Sequence, residues 1–402
     1  MLRKLRLFTP GPTPLLPAAA RAMAAADVHH RTADFRALYA KTLLALQTFI
    51  GTKHDVLMLA ASGSGAMEAS VSNLTSPGDK VLVLSAGKFG ERWRDIAKAF
   101  GCAVEMVNAP YGETWKMADV GAKLGGAGGK DIRCVYLQAT ESSTGVRHDV
   151  EAVAKVLRET GSDALLVVDA ITGLGTTRLD VDAWGIDVVI GGSQKAVMVP
   201  PGLAYLAVSE RAWQRAAAAK SPRYYFDLAR ERKAAAKGES AFTPATALIA
   251  GLAAALDYIR EAGNGDLAAG RNALIANAET AAAMTRAAAE ALGLKLYAKQ
   301  SPAPALTAIA PPEGMDSGVI VKAFRDEFAA VVANGQGEMK GQMFRIAHLG
   351  YYDYLDTIAI IGALEHVLAK VGAPRHIEFG AGLRAAQEAY AKAAPRLLGA
   401  AR

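Results

Sequence analysis

The chain has 402 residues, 51% of them hydrophobic, and its 45 Lys and Arg against 39 Asp and Glu give a formal net charge of +6. That length and apolar content can bury a sizeable core, divided into two domains, while the modest, dispersed positive charge leaves a nucleic-acid partner without support. No apolar stretch reaches the roughly 18 residues of a membrane span, and residues 2–7 are too broken by charge for a signal peptide, so a soluble, cytoplasmic protein is expected. Cys102 and Cys134 sit in or beside apolar runs without metal-ligand spacing and read as buried free thiols.

Strand-like runs at 55–60, 80–85, 103–108, 132–138, 165–169, 187–190 and 203–208 are mostly separated by amphipathic stretches such as 90–100 and 150–160. The alternation predicts an α/β fold built on a mainly parallel, seven-stranded sheet with helices on both faces. The glycine-rich segment 125–129 reads as a surface turn. From residue 248 to about 292 the chain is alanine-rich and helical. Strands at 294–297 and 305–310, a helix at 317–328, a strand at 343–347 and a helix at 354–371 then make a smaller C-terminal α+β domain. Residues 384–402 read as an exposed terminal helix. The expected division is an N-terminal segment 1–20, a large domain 21–255, a small domain 256–375 and a helical tail 376–402.

The chemistry concentrates on Lys195, in Gly191-Gly192-Ser193-Gln194-Lys195, and on Asp169, 26 residues earlier at the end of Leu165-Leu166-Val167-Val168. Two parallel strands joined by one crossover bring both side chains to the same carboxyl edge of the sheet, where open α/β folds bind ligands. A carboxylate that keeps a pyridine nitrogen protonated, beside an amine that forms a Schiff base, is what pyridoxal phosphate chemistry requires. Ser62-Gly63-Ser64-Gly65 follows the first central strand and opens a helix, which is either a structural turn or a phosphate cradle of backbone amides and hydroxyls. Glu141-Ser142-Ser143-Thr144-Gly145 is a capping turn or a source of a cofactor-bonding hydroxyl. Arg345, alone in an apolar strand, is either salt-bridged internally or a clamp for a carboxylate ligand.

Taken in order, Thr9-Pro10-Gly11-Pro12-Thr13-Pro14, Ser62-Gly63-Ser64-Gly65, Glu141-Ser142-Ser143-Thr144-Gly145, Val168-Asp169-Ala170, Gly192-Ser193-Gln194-Lys195-Ala196 with Pro200-Pro201-Gly202, and Phe344-Arg345-Ile346 resemble the class V pyridoxal-phosphate aminotransferases. The likeness is to the alanine–glyoxylate and serine–glyoxylate (serine–pyruvate) group and runs from about residue 7 to 372. It implies the fold type I of pyridoxal-phosphate transferases, with Lys195 as the Schiff-base lysine and Asp169 as the partner of the pyridine nitrogen. It further implies Gln194 and Ser142 at the cofactor's phenolic oxygen, Ser62, Gly63 and Ser64 at its phosphate, and Phe89 where the family often has a ring-stacking Trp. Arg345 and Gly11 fall in the substrate site, Arg345 at the α-carboxylate. The resemblance implies a homodimer with sites at the interface, in which Thr243 reaches the partner's phosphate. A Tyr common three positions earlier is here Ser240. Residues 29–35 resemble the family's His-Arg-Ser-Pro-Glu-Phe loop at the mouth of the site.

The reaction these roles imply is a ping-pong transfer of an amino group from alanine or serine to glyoxylate or pyruvate. Other readings stand beside it. An aspartate-using transaminase needs a second cation, for which Arg31, Arg147, Lys340 and His348 are candidates, and a 2-aminoethylphosphonate transaminase needs basic residues that the sequence does not single out. A cysteine desulfurase needs a late nucleophilic Cys, which neither cysteine supplies. An accessory subunit with a vestigial cofactor site is the non-enzymatic alternative.

Overall fold

The computed structural model describes residues 3–373 and 376–399. In chain order the strands are β1 (Arg6–Phe8), β2 (Asp55–Leu59), β3 (Lys80–Ser85), β4 (Ala103–Asn108), β5 (Ile132–Gln138), β6 (Thr140–Glu141), β7 (Val146–Arg147), β8 (Leu165–Asp169), β9 (Val188–Gly192), β10 (Ala204–Val208), β11 (Lys295–Leu296), β12 (Leu306–Ala310), β13 (Ala330–Asn334) and β14 (Phe344–Ala347). The larger sheet has seven strands in the order β2-β10-β9-β8-β5-β3-β4. Its pairings are parallel except those of β10, which runs against both neighbours. The mainly parallel, seven-stranded sheet expected from the alternating pattern is therefore present.

Burial on both faces explains why these strands read as continuous apolar runs. All five residues of β8 are buried, as a central parallel strand covered by helices on each side must be. Side chains alternate, so Leu165 and Val167 enter one core with Met67, Trp93 and Tyr136, while Leu166 and Val168 enter the opposite core with Leu137, Val189 and Ile259. Asp169 keeps the parity of Val167. Its carboxyl therefore leaves the sheet on the side of the helices Gly63–Leu74 and Lys88–Ala99, which supply Met67 and Trp93. Each of these helices follows a strand of the sheet, β2 and β3 respectively, so their N-termini gather at the carboxyl edge. Trp93 stacks on Tyr136 at 4.6 Å, a contact worth about 0.5–1.5 kcal/mol beyond its buried area, which fixes the second helix against the sheet.

The smaller sheet has the order β1-β13-β14-β12-β11 and is antiparallel apart from the β1/β13 pair. The helices Ser317–Phe328 and Tyr354–Lys370 cover one face, where Phe324 and Leu364 pack on Phe344 and Ile346. Arg345 lies between those two strand residues and has the opposite parity. It faces the larger sheet, and its guanidinium reaches the carbonyl of Ser142.

Two expectations need correction. The strand β13 was not anticipated, and the N-terminal residues Arg6–Phe8 pair with it in parallel, an association of distant segments with no local sequence signal. The terminal helix, Ala381–Gly399, is not simply exposed: Ala386 is buried among Met284, Ala288 and Ile361, so the helix lies along Leu267–Ala291 through small side chains. Buried Glu365 accepts the N–H groups of Gly380, Gly382 and Leu383 and fastens its start. Residues 400–402 of the expected tail lie outside the described residues. Cys102 and Cys134 are buried and free, as expected. Among the described residues no helix is long and apolar enough to cross a membrane.

Candidate active site

Lys195 sits in the turn after β9, buried to 9% exposure, with its ammonium donating to the carbonyl of Pro10. The N-terminal segment is tied across it, because the Thr13 N–H donates to Gln194 O at 3.1 Å and the Thr13 hydroxyl to Lys195 O at 3.0 Å. Gly11 makes this crossing feasible. Its φ of 136° lies where L-residues rarely go, and a Cβ there would stand 2.5 Å from Lys195 Nζ. Burial, partly opposed by Asp169, lowers the pKa of Lys195 to about 8, and the nearby Arg345 and Arg92 push the same way as burial. The neutral, nucleophilic amine is thus far more accessible near neutral pH than that of an ordinary lysine.

Asp169 ends β8 opposite Ile190 of β9 and Gln138 of β5. Only 5% exposed, it accepts the Ile171 N–H at 2.9 Å. Burial raises its pKa to about 6 against the lowering effects of that hydrogen bond, Lys195 and Arg92. Such a carboxyl is poised to ionise fully once a cationic partner is supplied, because a nearby positive charge favours the anion. Gln194 Oε1 is buried without a hydrogen-bond partner, a group that costs free energy until something donates to it.

Ser62 is the N-cap of the helix Gly63–Leu74, yet its hydroxyl makes no capping bond. The start of this helix presents backbone N–H groups and the positive end of the helix dipole, the elements of an anion site. Ser64 accepts from Arg92 Nη1 at 2.9 Å, and Arg92 also lies over the Phe89 ring, 4.8 Å from its centroid. Phe89 itself is half-buried in the first turn of the helix Lys88–Ala99.

Arg345 is 3% exposed and donates to the carbonyls of Ser142, at 2.7 Å, and of Asn334. Its Nε is buried without a partner, and none of the salt bridges among the described residues involves it. Burial brings its pKa down to about 10 despite the field of Glu141. Desolvating a guanidinium costs several kcal/mol, which two carbonyls offset in part and a ligand carboxylate would offset further. Among the described residues the internal ion pair left open by the sequence is not formed, and a partner for the Nε is left to be supplied.

The remaining candidates fall elsewhere. Thr243 is exposed in the loop before the helix Thr246–Ala262. His29, Arg31, Arg147 and Lys340 are exposed as well. His348 is fully buried, bonded to Thr307 at 2.8 Å, and burial drops its pKa to about 3, so it is neutral and is no second cation. Sequence reasoning gave no role to Glu141 or Arg92, whose contacts here are with distant segments.

The family described as Aminotransferase class-V matches residues 18–317. The chain belongs to the class V aminotransferases. It is 39% identical over 394 residues, 98% of this chain and 100% of the relative, to a protein of Synechococcus named as the small subunit of a soluble hydrogenase. The L-aspartate–glyoxylate aminotransferase of Paracoccus denitrificans is 33% identical over 96% of both chains. The serine–glyoxylate aminotransferase of Methylorubrum extorquens is 32% identical over 91% of both. Among solved structures, an aspartate aminotransferase of subgroup IV from Thermus thermophilus superposes with a TM-score of 0.83 at 36% identity, covering 91% of this chain and 99% of that one. As a class V aminotransferase the protein is a pyridoxal-phosphate-dependent enzyme of fold type I, acting on amino acids and 2-oxo acids. The buried carboxyl of Asp169, the orphaned Gln194 Oε1 and the uncapped Ser62 helix start fit that cofactor.

Proposed function

We propose that the protein transfers the amino group of a small amino acid, alanine or serine, to glyoxylate or pyruvate in a two-stage ping-pong cycle. The observation that carries this reading is the juxtaposition of a buried lysine of lowered pKa, a buried carboxyl and a buried guanidinium held by two backbone carbonyls. Ser62, Gly63 and Ser64 hold the cofactor's phosphate, Gln194 and Ser142 its phenolic oxygen, and Phe89 the face of its ring. Asp169 holds its ring nitrogen. Bound pyridoxal phosphate supplies the electron sink for breaking the bond from Cα to its proton. Lys195 would be the attachment point for the cofactor, and its free amine would be the base and acid that moves that proton. Arg345 clamps the α-carboxylate with its planar fork and so orients the Cα–H bond. Gly11 and the strap 9–14 cover the lysine and limit the donor's side chain.

Aspartate as donor is the second reading, supported by the names of a relative and of a superposing structure. It requires another cation, and Arg92, whose charge acts on both Lys195 and Asp169, is the candidate. Initial rates with alanine, serine, aspartate and 2-aminoethylphosphonate against glyoxylate and pyruvate decide the donor. Preference for alanine or serine supports the proposal, and preference for aspartate overturns it. The hydrogenase name of the cyanobacterial relative corresponds to an accessory role, which requires a coloured protein with no turnover on any donor. We further propose a cytoplasmic homodimer in which exposed Thr243 meets the partner's phosphate site, and the division at 20, 255 and 375 as that of its domains.

A further inference from the structure

Glu141 is wholly buried, yet it is assigned to neither cofactor nor substrate. Its Oε2 accepts the N–H groups of Phe89 at 3.1 Å and Gly90 at 3.2 Å. Its Oε1 accepts the N–H of Ser143 at 3.1 Å and the Ser143 hydroxyl at 2.5 Å. That hydroxyl in turn accepts the Lys88 N–H at 3.1 Å. The helix Lys88–Ala99 thus has its first three N–H groups satisfied by a turn from another part of the chain, where its own N-cap, Gly87, has no side chain to offer. Position 87 admits no side chain either, because a Cβ there would stand 2.5 Å from Glu141 Cγ and Cδ.

The same turn reaches the smaller sheet. Ser142, next to Glu141, accepts Arg345 Nη1 through its carbonyl, and Gly145 donates its N–H to Glu141 O at 2.8 Å, closing the turn. One buried carboxylate therefore joins the backbone that carries Phe89, the backbone that carries Ser142 and, through one carbonyl, the guanidinium of Arg345. Burial raises the Glu141 pKa to about 7, while the bonds from Ser143, Gly90 and Phe89 favour its anion, and such bonds are directional when buried.

We propose that Glu141 is a positioning residue that locks Phe89, Ser142 and Arg345 into one unit, so that the cofactor ring and the substrate α-carboxylate are held in register. The inference rests on the transaminase reading. Glu141→Gln keeps the volume but replaces one acceptor oxygen by an NH₂ group. Whichever way the amide turns, that group confronts either the Phe89 and Gly90 N–H groups or the Ser143 N–H.

The test compares the parent and Glu141→Gln proteins, stripped of cofactor and titrated with pyridoxal phosphate, by fluorescence and visible circular dichroism, followed by steady-state kinetics. Expected for the variant are a dissociation constant raised about tenfold, a weaker visible dichroic band, and KM for amino acid and oxo acid raised together by about 10- to 100-fold, more than kcat falls. Normal cofactor affinity, dichroism and KM with only a lower melting temperature overturn the proposal and leave Glu141 a helix fastener. Should Glu141→Gln fail to fold, Ser143→Ala, which leaves the carboxylate in place, is expected to shift the same quantities by about 2- to 5-fold. No shift in that variant overturns the proposal equally. A parent protein that forms no visible band on adding cofactor refutes the transaminase reading itself, a result distinct from a normal parent with an unaffected variant.

Discussion

Replacing Asp169 with Asn separates what the site needs for chemistry from what the fold prefers. The substitution keeps the shape and leaves an oxygen to accept the Ile171 N–H, but it removes the titrating group. In the cofactor-free protein burial lifts the Asp169 pKa from 3.8 to about 6. A raised carboxyl pKa stabilises the folded state below the unfolded value, where the group is protonated in both states. That contribution is lost as pH rises from about 4 through about 6. Above pH 7 the ionised carboxylate is a net burden, and a shift of about two units corresponds to roughly 3 kcal/mol. The cofactor-free Asp169→Asn protein should therefore match the parent near pH 3 and become more stable by up to about 3 kcal/mol by pH 8. Denaturant unfolding of both cofactor-free proteins across this pH range measures the difference. The cofactor-loaded enzyme should behave oppositely, with turnover reduced at least about a hundredfold, on the order of 3 kcal/mol in the barrier, because the pyridine nitrogen loses its counter-charge. A stability difference that does not grow between pH 3 and 8, or a variant that reacts at near the parent rate, refutes the assignment of Asp169.

Lys195→Ala should abolish turnover and the visible band of the lysine-bound cofactor while still binding pyridoxal phosphate through its phosphate and ring; undiminished transamination in this variant removes Lys195 from the mechanism. Gly11→Ala places a Cβ 2.5 Å from Lys195 Nζ at a backbone angle of φ 136°, so both the melting temperature and the rate of cofactor reconstitution should fall, and a protein normal in both contradicts the strap over the lysine. Arg345→Lys should lower kcat/KM for amino and oxo acids alike by about 10- to 1000-fold, since an ammonium cannot form the bidentate pair. A destabilised but kinetically normal Arg345→Lys protein points to a structural role instead.

Much of the architecture was legible because its signals are local. Runs such as Leu165–Asp169 and Ile132–Gln138 are apolar on both faces, which marks parallel strands wherever they end up in the sheet. Their spacing alone places Asp169 and Lys195 at one edge of the sheet. The order of the strands, with β10 reversed between β2 and β9, depends on pairings that no segment encodes by itself. Likewise β13, though its Val331 and Val332 suit a strand, takes its register from pairing both with Arg6–Phe8 some three hundred residues away and with β14.

The sequence by itself determined the candidate groups of the site: a lysine and a carboxylate after parallel strands, a Gly/Ser turn before a helix, and an arginine within an apolar strand. Only the tertiary structure decided how those groups are charged and what they face. Burial moves Lys195 and Asp169 toward each other in pKa, and desolvation is a property of the whole packed interior. It also placed two carbonyls at the Arg345 guanidinium, with no salt bridge to it among the described residues, which favours the reading of a substrate clamp. Glu141 stands next to Ser142 in the chain. The positioning role proposed for it depends on N–H groups 51 and 52 residues away, which folding alone brings within reach of a single carboxyl.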